Sequence, residues 1–145
     1  MGTIDFWSIA IRPGRPLAFG ELRTAGGARH VPIFGLPGNP VSALLTFELF
    51  VRPALLRMAG RRELHRPRVR ARLVDTVEKP SGLRLFARGV YDAKTGTVRS
   101  TGPQGSGILR SMALANCLIE VPEAPPSAGP GEEVTVIRTD LPEDH

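Results

Sequence analysis

The sequence holds a single cysteine, Cys117, so no internal disulfide framework can brace it. Its three histidines lie far apart in the chain and show no zinc-ligand spacing. No apolar run approaches the roughly 20 residues that a membrane-spanning helix needs. The opening MGTIDFWSIAI has no basic stretch ahead of its apolar residues, so no secretory signal is expected. Together these features set the expectation of a cytoplasmic protein with no membrane partner. Aromatic residues are only 6% of the chain, and Phe86 and Tyr91 form no evident stacking platform. A nucleic-acid-binding barrel, which the pI near 10.6 would otherwise favour, is therefore not expected. Lysine is scarce too: Lys79 and Lys94 are the only two among 19 Lys and Arg residues.

What is abundant is arginine, with 16 glycines and 14 prolines. A GC-rich coding bias enriches Arg, Ala, Gly and Pro together, and it accounts for the global excess. Planar guanidinium forks also suit phosphate and other oxyanions, so single arginines gain a role by position. Apolar content of 41% and charged content of 23% are globular values, which argues against wholesale disorder.

The 145 residues divide by pattern into two pieces. Residues 4–11 are rich in β-branched and apolar side chains and predict a strand, which RPGRP (12–16) breaks. A second strand is predicted at 17–22, with Gly26-Gly27 as a turn. HVPIFGL (30–36) has the continuous apolar pattern of a buried strand. Next, Pro37-Gly38 turns the chain, Asn39 stands as an N-cap and Pro40 as a first helical residue. Apolar positions on more than one stripe predict a largely buried helix over 41–59, kinked by Pro53 and stopped by Gly60. The basic segment 61–67 reads as a linker. From 68 to 140 the pattern changes to short strands, predicted at 69–74, 83–91, 97–100, 117–121 and 133–138, with one or two helical turns at 108–115. Frequent turn signals there predict a small antiparallel barrel or sandwich. Residues 141–145 read as a frayed tail. The expected fold class is an α/β fragment, the closing part of an α/β domain, followed by a small all-β barrel domain.

Three segments could carry chemistry. FGLPGNPVS (34–42) runs from a strand through a Gly/Pro turn into a helix start, where free backbone N–H groups and the Ser42 hydroxyl can meet an anion; the plain alternative is a well-capped helix. It is not a Walker loop, because no GxxxxGK precedes a Ser or Thr. RPGRP holds Arg12 and Arg15 on a rigid turn, or is only a solvated turn. GPQGSGILRSM (102–112) is a glycine-rich loop with Ser106, Arg110 and Ser111. No nucleophile machinery is evident. Cys117 lies in an apolar strand, His30 and His65 have no partner nearby in sequence, and the adjacent Glu132 and Glu133 face opposite ways in a strand. No catalytic residue and no metal ligand is assigned in the chain.

These motifs occur in one order, and the sequence resembles the MoeA/gephyrin E-domain family of molybdopterin molybdenumtransferases over about residues 5–137, its C-terminal portion only. IRPGRPLAFGEL is similar to the family's KPGKP segment, and FGLPGNPVSALLTFELFVRPAL to its most characteristic stretch. RVRARL, TGPQGSGILRSMALANCLIEVP and GEEVTVI resemble its C-terminal barrel. The resemblance implies molybdate contacts at Arg12, Arg15, Pro16, Ser42, Arg70 and Ser111, and pterin contacts at Gly35, Pro37, Gly38, Asn39 and Pro40. It further implies adenylylated molybdopterin and molybdate as substrates, magnesium as the metal, and a homodimer. Both lysines of KPGKP are arginines here, which bears on oxyanion choice. The family's glycine-rich, acidic upstream segment, where the magnesium ligands are expected, has no counterpart in these residues. Oxyanion contacts without turnover are therefore expected of this chain alone. The alternative is a non-catalytic scaffold or binding module of the same descent.

Overall fold

The structure is a computed structural model, and it describes residues 2–24, 26–27, 29–105, 108–124 and 127–141. Strands β1 (Thr3–Ser8), β3 (Pro16–Arg23) and β4 (His30–Gly35) form an antiparallel sheet in the order β1-β3-β4. The strand predicted over 4–11 divides. β1 ends at Ser8, the Ile9 N–H donates to the Arg15 carbonyl at 2.8 Å, and β2 (Ile11–Arg12) leaves the sheet. The buried Ile11 side chain explains the departure, since it packs with Leu45, Phe86, Leu118 and Ile137. The prediction of a buried strand at 30–36 is corrected: β4 is an edge strand, with His30 and Val31 exposed and the rest half-buried.

The helix predicted over 41–59 is three segments: α1 (Pro40–Thr46), a π-helical turn (Phe47–Val51) and α2 (Arg52–Met58). Pro53 has no N–H to give the preceding turn, and the break falls just before it. There the Arg52 N–H reaches back five residues to the Phe47 carbonyl, so the helix accommodates the proline by widening. Only one stripe is buried, comprising Val41, Ser42, Leu45, Thr46 and Arg52, while Leu44, Leu55 and Met58 are exposed. Gly60, at φ +78°, ends α2 with its N–H on the Arg57 carbonyl, and the Arg61 N–H follows on that of Leu56.

The segment after α2 is tied down by arginines. Arg66 pairs with Glu48 at 2.6 Å and donates to the Leu141 carbonyl, and Arg52 donates to the Leu64 carbonyl. Beyond it, β5 (Arg68–Leu73), β7 (Arg84–Asp92), β8 (Thr97–Ser100), β9 (Cys117–Val121) and β11 (Glu133–Arg138) close a five-stranded barrel through the pairings β7–β8, β8–β5, β5–β11, β11–β9 and β9–β7. All are antiparallel except β5–β8. A ribbon of β6 (Val77–Glu78) and β10 (Ser127–Ala128) adds Val77 and Ala128 to the interior. Alternation sends Leu85, Ala87, Ile119, Val134 and Val136 inward. Phe86, Leu118 and Ile137 point outward, onto Ile11 and Leu45. β2 pairs in parallel with the start of β7, so a strand from the first piece completes the barrel's edge. At the tail, Asp140 pairs with Arg138, while residues 142–145 lie outside the described residues.

Candidate functional site

The departure of β2 puts the RPGRP turn against the start of α1. Arg12, Arg15 and Ser42 line one cleft of about 360 Å³, with Pro80, Leu83 and Gln104 from the barrel side. Arg12 and Arg15 are exposed, and neither pairs with a carboxylate among the described residues. Among the described residues, no Asp or Glu lines the cleft. Ser42 is 6% exposed on the buried stripe of α1. Arg12, Arg15 and Ser42 thus line one cleft that is open to solvent, and the charge of its two arginines favours an anion there.

Gln104 connects this cleft to a group that sequence reading missed. Its side chain is locked onto β7: Oε1 accepts the Arg88 N–H at 2.7 Å and Nε2 donates to the Arg88 carbonyl at 3.2 Å. The Arg88 guanidinium is 1% exposed. It donates to Ser111 Oγ at 3.0 and 2.8 Å and to the carbonyls of Pro103, Gln104 and Gly105. No carboxylate pairs with it among the described residues, and burial pushes its pKa down. A positive charge therefore stands behind the wall of the cleft, compensated only by dipoles. Its signal in the sequence is a lone arginine in the otherwise apolar LFARGV, a position that demands partners.

The six oxyanion positions named from the sequence do not all meet. Arg12, Arg15 and Ser42 share the cleft, and Pro16 follows directly as the first residue of β3. Ser111, at 3% exposure in α3 (Leu109–Leu114), is reached through Arg88 and Gln104. Arg70 lines a different cavity on the outer face of the barrel, where Glu133 and Thr135 hold its guanidinium. The barrel guanidinium beside Ser111 is thus that of Arg88, not Arg70. Of the five positions named for the pterin, Gly35 closes β4 and Pro37-Gly38 turn the chain. Asn39 accepts the Ala43 N–H on its carbonyl, but its side chain does not cap the helix, and Pro40 is the first helical residue. Ser106 lies outside the described residues.

The other singled-out groups are structural. Cys117 is fully buried, and desolvation pushes its thiol up to about 12. His30 has a partner after all: the β3–β4 pairing sets its Nδ1 2.8 Å from Glu21 Oε2.

A fold of this kind, an α/β piece packed on a closed five-stranded barrel, is matched by known proteins. Residues 1–57 match the model of a probable molybdopterin binding domain, and residues 70–138 that of the MoeA C-terminal region, domain IV. The chain is 41% identical over 133 residues to molybdopterin molybdenumtransferase 2 of Mycobacterium tuberculosis, which covers 92% of this chain and 31% of that protein. It is 36% identical over 140 residues to the molybdopterin molybdenumtransferase of Haemophilus influenzae, covering 94% and 33%. The crystal structure of the molybdopterin biosynthesis MoeA protein from Pyrococcus horikoshii superposes with a TM-score of 0.73 at 33% identity, covering 94% of this chain and 32% of that one. The chain belongs to the MoeA/gephyrin family and corresponds to its C-terminal portion. It spans about a third of the length of the curated relatives it matches.

Proposed function

We propose that this chain is the oxyanion-binding portion of a molybdopterin molybdenumtransferase and holds molybdate for transfer to molybdopterin. The observation that carries this reading is the cleft that Arg12, Arg15 and Ser42 line together, with no carboxylate among its described residues. Molybdate is a tetrahedral dianion with a strongly held hydration shell. Two guanidinium forks and a hydroxyl replace that shell with charge-assisted hydrogen bonds, which offsets the cost of desolvation. Arg88, held by Ser111 behind Gln104, adds positive potential from the barrel side. The turn of Gly35, Pro37, Gly38, Asn39 and Pro40 adjoins Ser42 in sequence and presents backbone groups to the adenylylated pterin. Pro16 fixes the turn after Arg15. Arg70 belongs to this reading only through the family resemblance, since its guanidinium is already paired.

These residues bind and orient; none of them attacks. Magnesium is part of the family reading, but no group of three His, Cys, Asp or Glu side chains suited to it occurs among the described residues. No step is assigned to a metal, and the chain alone is read as inactive in turnover. A cytoplasmic homodimer completes the reading. Titration calorimetry with molybdate tests it: Arg15→Ala combined with Ser42→Ala is expected to weaken binding by about a hundredfold, from the loss of two charge-assisted contacts. A folded wild-type chain with no affinity for molybdate would refute it.

A second reading, a non-catalytic binding module, draws on one observation. On one side of the first sheet Ile4, Phe6 and Val31 are exposed, Phe6 at 86%, and on the other side Trp7 and Phe19 are exposed, Trp7 at 60%. Exposed apolar surface of this kind mediates association. Light scattering that shows a monomer at every concentration would count against it.

A further inference from the structure

The RPGRP turn and α1 approach closely at Gly14. A Cβ built on Gly14 would stand 2.6 Å from Thr46 Oγ1 and 3.5 Å from the Ser42 carbonyl oxygen. Gly14 also has φ +103°, a conformation that side-chain-bearing residues rarely adopt. Position 14 is therefore restricted to glycine for two independent reasons, its own backbone and its neighbour.

The neighbour is itself fixed. Thr46 is fully buried, and its hydroxyl donates to the Ser42 carbonyl at 2.7 Å. One oxygen thus holds the backbone of Ser42 and sets how near the turn can come. Ile11, just before Arg12, and Leu45, just before Thr46, pack in the same buried cluster, so neither side can slide.

We propose that Gly14 and Thr46 are positioning residues that set the gap between the arginine turn and Ser42, and thereby the size of oxyanion that the cleft accepts. The inference rests on the reading of the cleft as an oxyanion site. Neither residue is assigned a contact with the ion; they act through Arg12, Arg15 and Ser42. Sulfate has the same charge and shape as molybdate but shorter bonds to oxygen. A gap matched to the larger ion separates the two, and a displaced turn loses both contact and discrimination.

The test is calorimetric titration of the whole 145-residue chain with molybdate and, separately, with sulfate, each variant being checked by thermal melting. Gly14→Ala is expected to weaken molybdate binding by about tenfold and to shrink the molybdate-to-sulfate preference by about threefold, because small displacements of binding groups cost about that much. Thr46→Ser keeps the hydroxyl and should retain the wild-type preference. Thr46→Val keeps the shape, loses the bond to Ser42 and should lower the preference as Gly14→Ala does. If wild type binds molybdate and folded Gly14→Ala shows an unchanged preference, the inference is overturned while the oxyanion reading stands. If folded wild type binds neither ion, the oxyanion reading falls and takes the inference with it. Should Gly14→Ala fail to fold, the Thr46 pair decides: a difference in preference between Ser and Val supports the inference, and equality overturns it.

Discussion

Arg88 carries a full charge into a site where four protein oxygens accept from it and no described carboxylate does. Arg88→Met would leave Ser111 and three loop carbonyls without their donor, and a loss of about 2–4 kcal/mol in the denaturant midpoint analysis is expected. Arg88→Lys should not restore it, because one ammonium cannot reproduce a fork of contacts. Cys117 makes a prediction in pH. Burial raises its pKa from 9.0 to about 12, so the folded chain keeps a proton that the unfolded chain has already lost. Its contribution to stability is complete below pH 9 and is lost as pH rises toward 12. Melting temperatures should fall across that window, and the slope should be shallower in Cys117→Ala; equal slopes would contradict the assignment. At this scale the legible residues were those whose partners lie near in sequence. Arg12 and Arg15 share one turn, and Ser42 sits in a turn-to-helix motif. Arg88 was not legible because its acceptors come from a loop 15 or more residues further on, brought back by barrel closure.

The helix after the site depends on Glu48, which lies in its π-helical turn and reaches both Arg66 at 2.6 Å and Arg52 at 3.7 Å. Its side chain is 14% exposed, so solvent screens the cluster only in part. Glu48→Ala would remove a carboxylate from Arg66 and from the buried Arg52, and a cost of about 1–3 kcal/mol is expected in urea unfolding. A cost near zero would show that the segment between α2 and β5 is held by other contacts. The strands at 97–100, 117–121 and 133–138 are where short strand-forming runs between turn signals put them. The separation of β1 from β2 left no such trace. Apolar residues resume directly after Ser8, and what divides the run is pairing of Ile11 and Arg12 with Arg84 and Leu85, more than 70 residues away. The exposure of β4 was hidden for a similar reason: an apolar run reports what a strand is suited to pack against, not whether a layer covers it.

Two apolar clusters hold the molecule together. One fills the barrel, and the other, built from Ile11, Leu45, Phe86, Leu118 and Ile137, cements the α/β piece to the barrel's outer wall. Because the second cluster lies next to the cleft in sequence at Ile11 and Leu45, truncating it should loosen the site as well as the fold. Phe86→Ala is expected to cost about 3–5 kcal/mol and to weaken oxyanion binding in the same preparation. The exposed apolar residues on the two sides of the first sheet are the other feature of this scale. Trp7→Ser with Phe6→Ser should abolish any concentration-dependent rise in mass seen by light scattering, and should leave oxyanion affinity unchanged, since neither residue lines the cleft. Crystals of the chain soaked in tungstate would locate the heavy ion by anomalous diffraction. The ion is expected between the guanidinium groups of Arg12 and Arg15 and the hydroxyl of Ser42. An ion seated instead beside Arg70, or none at all at a concentration that saturates binding in solution, would contradict the oxyanion cleft.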